Sequence, residues 1–380
     1  MRILTDLTSF AKLKQPDGSV PNGSGTPKNP FNPLKSVKSV VKFTPFRNSP
    51  SPMKGFLPRT LHPGLQILLL LGLMVAGACV GYAVVFAWAA LGFGLSPLQT
   101  GTVMQNPAAS PQGWGLLMMA QGVLLFSACA GGALALASAL GYRWAEYFNP
   151  RRLAAGWWLV AAAALIVAIL PLMSGIVAWN ADAHFPGFLH DFEVWARASE
   201  DRAQGLTKFL TQFNSAGRFW VGVLVVALVP AVGEELVFRG VIQKNLVRWF
   251  SPHVGVWLGA AIFSAIHLQF FGFVPRFLLG LVLGYLYLWS GNILVSMAAH
   301  FTQNALQLAL LYFSQRGSFG WGFDPDANEA LPWPLVVLSA VGSAGLLFFL
   351  HRRLTDPGTP RQMLTLSREG IAVHSPGASA

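Results

Sequence analysis

Eight apolar runs, each close to twenty residues long, decide what this chain can be. They fall at about 64–92, 115–140, 153–179, 219–243, 254–270, 273–290, 291–314 and 332–351. A helix of ~20 apolar residues matches the thickness of the hydrocarbon layer of a bilayer. Lipid offers the backbone no hydrogen-bond partners, so each run must satisfy its own N–H and C=O groups as a helix. The expected fold is therefore all-α: a polytopic transmembrane helical bundle of about eight spans. Only 11% of residues are charged, against about 25% in soluble domains, too few to cover a soluble surface of this size. Thirteen Trp and 28 Phe suit aromatic belts at two membrane interfaces. The fifth and sixth runs are short and parted only by Phe271–Gly272, which predicts a tight helical hairpin.

The formal net charge of +11 would suit a nucleic-acid binder, but its placement argues for a membrane. Residues 1–60 carry ten Lys/Arg against Asp6 and Asp17, all ahead of the first apolar run. No recognition motif accompanies them, so a nucleic-acid partner is not expected. Further on, loop 141–152 carries Arg143, Arg151 and Arg152 against Glu146. Lys244 and Arg248 follow the fourth run, and Arg352 and Arg353 the eighth. Loop 93–114 is uncharged, loop 180–218 is mixed, and loop 316–331 carries Asp324, Asp326 and Glu329 against Arg316. Basic loops alternate with neutral or acidic ones, as expected for eight spans with both termini cytoplasmic. The expected location is a bacterial inner membrane, with membrane lipid as one partner.

The chain then divides as follows. Residues 1–60 form a basic, disordered arm, in which Met53 is a candidate natural start. Residues 61–180 hold three transmembrane helices. Residues 181–218 form an extracytoplasmic segment whose Phe188, Leu189, Phe192, Trp195, Leu206, Phe209 and Leu210 among charges predict an amphipathic helix. Residues 219–315 hold four more spans, residues 316–352 a loop and the last span, and residues 353–380 a disordered tail. Cys79 and Cys129 both lie in apolar runs and read as packing residues.

Ionisable groups inside spans are costly, and spans one to three have essentially none. The fourth carries Glu234, Glu235 and Arg239, the fifth His267, the sixth Arg276, and the seventh His300 and Asn304. Glu235 and Arg239 are four apart, so they share a helix face and can pair. Glu234 is turned by about 100° from Glu235, which frees it to face a cavity. His300 and Asn304 likewise share a face. Counted along their helices, Glu234, His267 and His300 all lie ~14–21 Å below the cytoplasmic side. A carboxylate withdrawn from water is suited to general-base work near neutral pH. With one histidine it can deprotonate a water, while a second histidine and an amide stabilise an oxyanion. That set describes amide hydrolysis. No G-x-S-x-G elbow or H-E-x-x-H pattern occurs. Gly280 and Gly284 read as close-packing positions, and Arg276 as an interfacial anchor or a partner of loop 180–218.

Three short motifs stand in order on separate spans: Glu234-Glu235-Leu236-Val237-Phe238-Arg239, Phe263-Ser264-Ala265-Ile266-His267 and His300-Phe301-Thr302-Gln303-Asn304. They are similar to the E-E-x-x-x-R, F-x-x-x-H and H-x-x-x-N motifs of the CPBP family, the CAAX protease and bacteriocin-processing proteins, also called the Abi family. The resemblance covers about 215–312. It implies an eight-helix fold with an active site inside the membrane, as in the type II CAAX prenyl endopeptidases. It also implies roles: Glu234 and His267 activate water, His300 and Asn304 form the oxyanion site, and Glu235 and Arg239 support them. The family implies a glutamic-type peptidase with no cofactor. Zinc held by Glu234, His267 and His300 is the alternative. The substrate expected is a peptide or protein, either prenylated or a peptide precursor. Buried Glu, His and Arg also mark proton relays, so an ion-coupled transporter stays open, as does a non-catalytic immunity or scaffold protein.

Overall fold

The computed structural model describes residues 55–151, 153, 155–317 and 331–355, all within one compact unit, Ser51–Ala380. The basic arm up to residue 54, Met53, Arg152, the acidic residues 324–329 and the tail beyond 355 lie outside the described residues. Among those described, every regular element is helical.

In chain order the helices are α1 (Pro63–Phe93), α2 (Pro97–Gln105), α3 (Gly113–Ala139), α4 (Trp144–Phe148) and α5 (Trp157–Ala181). Then come α6 (His190–Leu210), α7 (Ala216–Trp249), α8 (Pro252–Ala265), α9 (Phe273–Ser290), α10 (Ile293–Gln315) and α11 (Trp333–Leu354). Each of the eight apolar runs falls on one of these. Six are long and apolar enough to cross a membrane: α1, α3, α5, α7, α9 with the turn before it, and α11. The chain is an integral, multi-pass membrane protein. Of the other two, α10 is 23 residues long but studded with His300, Gln303, Asn304 and Gln307. At 14 residues α8 reaches only ~21 Å, short of the ~30 Å hydrocarbon layer. Within the expected fifth run, 254–270, the α-helix is shorter than expected: it stops at Ala265, and seven residues follow before α9, the last three, Phe270–Gly272, as a single 3-10 turn.

Local sequence explains where the helices begin and end. Ser215, Ser251 and Asn292 cap α7, α8 and α10 by accepting from the N–H groups of Arg218, Val254 and Leu294. Gly291 ends α9 in the left-handed region, φ 60°. Pro171 sits inside α5, where it removes one backbone donor. Ser339 of α11 repairs that stretch: its Oγ accepts from Leu172 N at 3.1 Å and donates to Ala168 O at 2.5 Å. At Gly77 a Cβ would overlap the Ser127 carbonyl, so this glycine lets α1 lie directly on α3.

Two packed groups make up most of the bundle, and α7 belongs to the first. One joins α1, α3 and α4 to α7 through Leu70, Ala133, Leu136, Phe148, Val237 and Val241. The other joins α5, α9, α10 and α11 through Leu165, Ile166, Leu283, Leu286, Val295 and Leu350. Within its apolar window α7 is 56% buried, against 11% for α1. A charged side chain can be hidden from lipid on α7 more fully than on any other span.

Helix α6 lies off this bundle of spans and is amphipathic. Near its start Glu193 accepts from Arg197 Nε at 3.0 Å and from Phe185 N at 2.9 Å, and meets His184 Nδ1 at 2.9 Å. Arg197 first, then Phe185 N–H and His184, hold the Glu193 carboxyl down to about 2, from an ordinary 4.5. A depressed carboxylate stabilises the fold fully above its unfolded pKa, and this is lost as pH falls through the folded one. Hydrogen-exchange protection of the α6 N-terminus should therefore decline between pH 4.5 and 2. Glu193→Gln should flatten that decline, and an unaltered decline in the variant would refute the assignment.

Candidate active site

The site is built on the middle of α7, where Val229–Val237 is regular α-helix between two π-helical stretches, Val223–Leu228 and Phe238–Gln243. Such wide turns are often found at functional sites. Glu235 is fully buried and Arg239 nearly so. Arg239 Nη1 donates to Glu235 Oε1 at 2.8 Å, as their spacing predicts. The second Arg239 nitrogen, Nη2, donates to the carbonyl of Gly280 on α9 at 3.2 Å. One turn on, Gln243 Nε2 repeats the contact with the Gly284 carbonyl at 2.9 Å. Gly280 and Gly284 do pack closely. A Cβ on the first would lie 3.1 Å from that of Ala260, and one on the second 2.9 Å from Gln243 Oε1. Sequence reasoning missed Gln243, although it continues the stripe Glu235, Arg239 at the same spacing of four.

His300 of α10 joins this pair. Its Nδ1 lies 2.9 Å from Glu235 Oε1. A carboxylate in an ion pair with Arg239 is acceptor-only, so Nδ1 donates. Nε2 is thereby turned toward Glu234 Oε2, 3.9 Å away, which is beyond direct hydrogen-bond range. Glu234 differs from its neighbour: its side chain keeps 14% of its exposure, against 0% for Glu235. One carboxylate is held by the protein and the other is open, as the 100° rotation requires.

His267 is placed differently from the sequence expectation. It lies in the turn after α8, half-buried, with Nδ1 2.7 Å from the Phe263 carbonyl. The next residue, Leu268, has φ 53°, a left-handed conformation unfavourable for a branched side chain. Phe263 links the two histidines. Its ring centroid is 5.1 Å from that of His267 and 6.0 Å from that of His300, and the Arg239 guanidinium lies over it at 4.7 Å. Asn304 lies half-buried one turn beyond His300, and its side-chain amide makes no hydrogen bond among the described residues. The structure thus gathers Glu234, Glu235, Arg239 and His300 tightly, with His267 joined through Phe263.

The zinc alternative fits less well. No group of three or more His, Cys, Asp or Glu among the described residues is placed to hold a metal ion. Glu234, His267 and His300 do not form a donor set as they stand. Arg276 donates to Gln269 Oε1 at 2.6 Å and contacts the Gly272 carbonyl at 3.4 Å, so it braces the turn that carries His267.

Residues 216–306 match the family described as "Type II CAAX prenyl endopeptidase Rce1-like". A stretch of 88 residues is 33% identical to "Uncharacterized protein YpbD" of Bacillus subtilis (strain 168), and it covers 22% of this chain and 42% of that relative. The match thus spans less than half the length of that curated relative. No solved structure matches the chain. The three motifs stand in order on α7, the turn after α8, and α10, inside the stretch 216–306 that is similar to the Rce1-like type II CAAX prenyl endopeptidases.

Proposed function

We propose that the protein is an intramembrane endopeptidase that hydrolyses peptide bonds with a water activated by Glu234 and His267. The observation that carries this is the division of labour between adjacent carboxylates. Glu235 is engaged by Arg239 and His300, whereas Glu234 is open and faces the free nitrogen of His300. The Rce1-like match over the same helices supports the reaction class.

In the reaction, water adds its oxygen to the carbonyl carbon while its proton passes to Glu234. The carbonyl oxygen gains the charge, which the Asn304 amide stabilises by donating to it, joined by His300 Nε2 when the ring carries a proton on both nitrogens. Collapse breaks the C–N bond, and the proton on Glu234 returns to the leaving amine. Glu235 and Arg239 act through His300: they fix its ring and compensate its surroundings. The substrate is a membrane-anchored peptide or protein, prenylated or a precursor. The orientation that suits this reading has both termini cytoplasmic.

The test is cleavage of prenylated and plain membrane-anchored peptides by purified protein in lipid nanodiscs. His267→Ala is expected to lower kcat by about 10²-fold or more, the usual range for losing an acid–base group, with KM little changed. A variant that cleaves as fast as the parent would remove His267 from the mechanism.

A further inference from the structure

We propose that helix α6 fixes the turn carrying His267, and that Glu200 is the positioning residue through which it does so. The proposal takes from the peptidase reading only the importance of His267.

The turn needs outside support. Helix α8 ends after ~21 Å, and residues 266–269 follow as non-helical backbone before the single 3-10 turn Phe270–Gly272; between apolar helices such backbone needs partners from the protein. Much of the turn is closed on itself: His267 N donates to Ser264 O at 3.3 Å, Leu268 N to Ala265 O at 3.1 Å and Gly272 N to Gln269 O at 3.3 Å. Leu268 nevertheless stores left-handed strain, which persists only when surrounding structure enforces it.

That enforcement comes from α5 and α6 and falls on the neighbouring residues Phe270 and Phe271. Phe271 N donates to Glu200 Oε2 at 3.1 Å, and Asn180 Nδ2 donates to the Phe271 carbonyl. The Arg197 guanidinium lies over the Phe271 ring at 4.0 Å. Phe192 and Trp195 pack on Phe270 with centroids 5.0 and 5.7 Å away. A hydrogen bond from backbone N–H to a carboxylate is stronger than one between neutral groups, which singles out Glu200 among these contacts.

A clamp works only if it is anchored, and α6 is tied at both ends. At its start Arg197 Nη2 donates to the Ala183 carbonyl at 2.9 Å, beside the Glu193 network. At its end Trp114 Nε1 of α3 donates to Leu210 O at 2.9 Å. Gln315 of α10 donates to Thr211 O at 3.0 Å and accepts from Phe213 N at 2.9 Å. The segment outside the spans therefore joins α3, α5 and α10 to the turn that holds His267.

The experiment uses the full chain in lipid nanodiscs and reads amide hydrogen exchange across residues 263–276 together with peptide cleavage. Glu200→Ala is expected to speed exchange at Phe271 and its neighbours about tenfold and to lower kcat about tenfold with KM unchanged. Glu200→Gln keeps an acceptor oxygen and should restore most of both. Asp201→Ala, at the exposed position alongside, should leave both unaltered. Exchange that ignores Glu200→Ala, or faster exchange with kcat unmoved, overturns the proposal. If the parent protein cleaves nothing, the peptidase reading falls. The clamp is then judged by exchange and by the rate at which diethyl pyrocarbonate modifies His267, and a rate unaffected by Glu200→Ala overturns it.

Discussion

Glu234→Gln should lower kcat by about 10³-fold, within the range for losing a general base, and leave the thermal midpoint almost unmoved. Both halves of that expectation come from the same geometry. Glu234 is the carboxylate whose side chain keeps some exposure, and the ring nitrogen facing it, His300 Nε2, is 3.9 Å away rather than bonded to it. Replacing it removes a proton acceptor without breaking a hydrogen bond that holds helices together. Gln has the same shape, so no cavity forms. Kinetics on a cleavable peptide and thermal unfolding of the same preparation check the two halves. A variant that keeps more than a tenth of the parent kcat, or that unfolds well below it, would show that the open carboxylate is structural.

Arg239→Met should have the opposite signature, a loss of about 3–5 kcal/mol of stability. Arg239 and Glu235 are both buried, and removing the guanidinium leaves a carboxylate charge in an apolar interior with only His300 and Ser296 beside it. The Gly280 carbonyl also loses its donor. The larger part of the cost is the stranded charge rather than the lost attraction, so Glu235→Gln combined with Arg239→Met should recover much of it. The exposed pair Arg143–Glu146, 3.8 Å apart, supplies the contrast: Arg143→Met should cost no more than about 1 kcal/mol. Unfolding of all four proteins in one detergent decides the matter. Equal stability of the two single Arg variants would contradict a buried, charge-balanced site.

Much of this was legible in the residues because the bilayer leaves few choices. A run such as 64–92 has one structure open to it in lipid, so the helices of the bundle could be read from apolar length. Helix periodicity likewise gave the Glu235–Arg239 pair and the outward turn of Glu234. What could not be read is where a helix stops without a usual signal. Nothing between Phe263 and Phe273 announces that α8 ends at Ala265. The first glycine after it is Gly272, and the left-handed residue is Leu268. His267 therefore read as helical although it sits in a turn. The π-helical stretches of α7 have no sequence mark either, and they set which side chains of that helix face α9 and α10. The hold of α6 on the turn depends on contacts between residues about 70 positions apart, such as Glu200 and Phe271, beyond any local pattern.

The most direct test of the central claim is hydrolysis in H₂¹⁸O of membrane-anchored peptides by the purified full chain, with products identified by mass spectrometry. The account predicts that the parent protein cuts at a defined bond and places one solvent ¹⁸O in each new carboxylate, and that Glu234→Gln, equally well folded, forms almost none of that product. Cleavage by Glu234→Gln at the parent rate, or no cleavage of prenylated or plain peptides by well-folded parent protein, would contradict it.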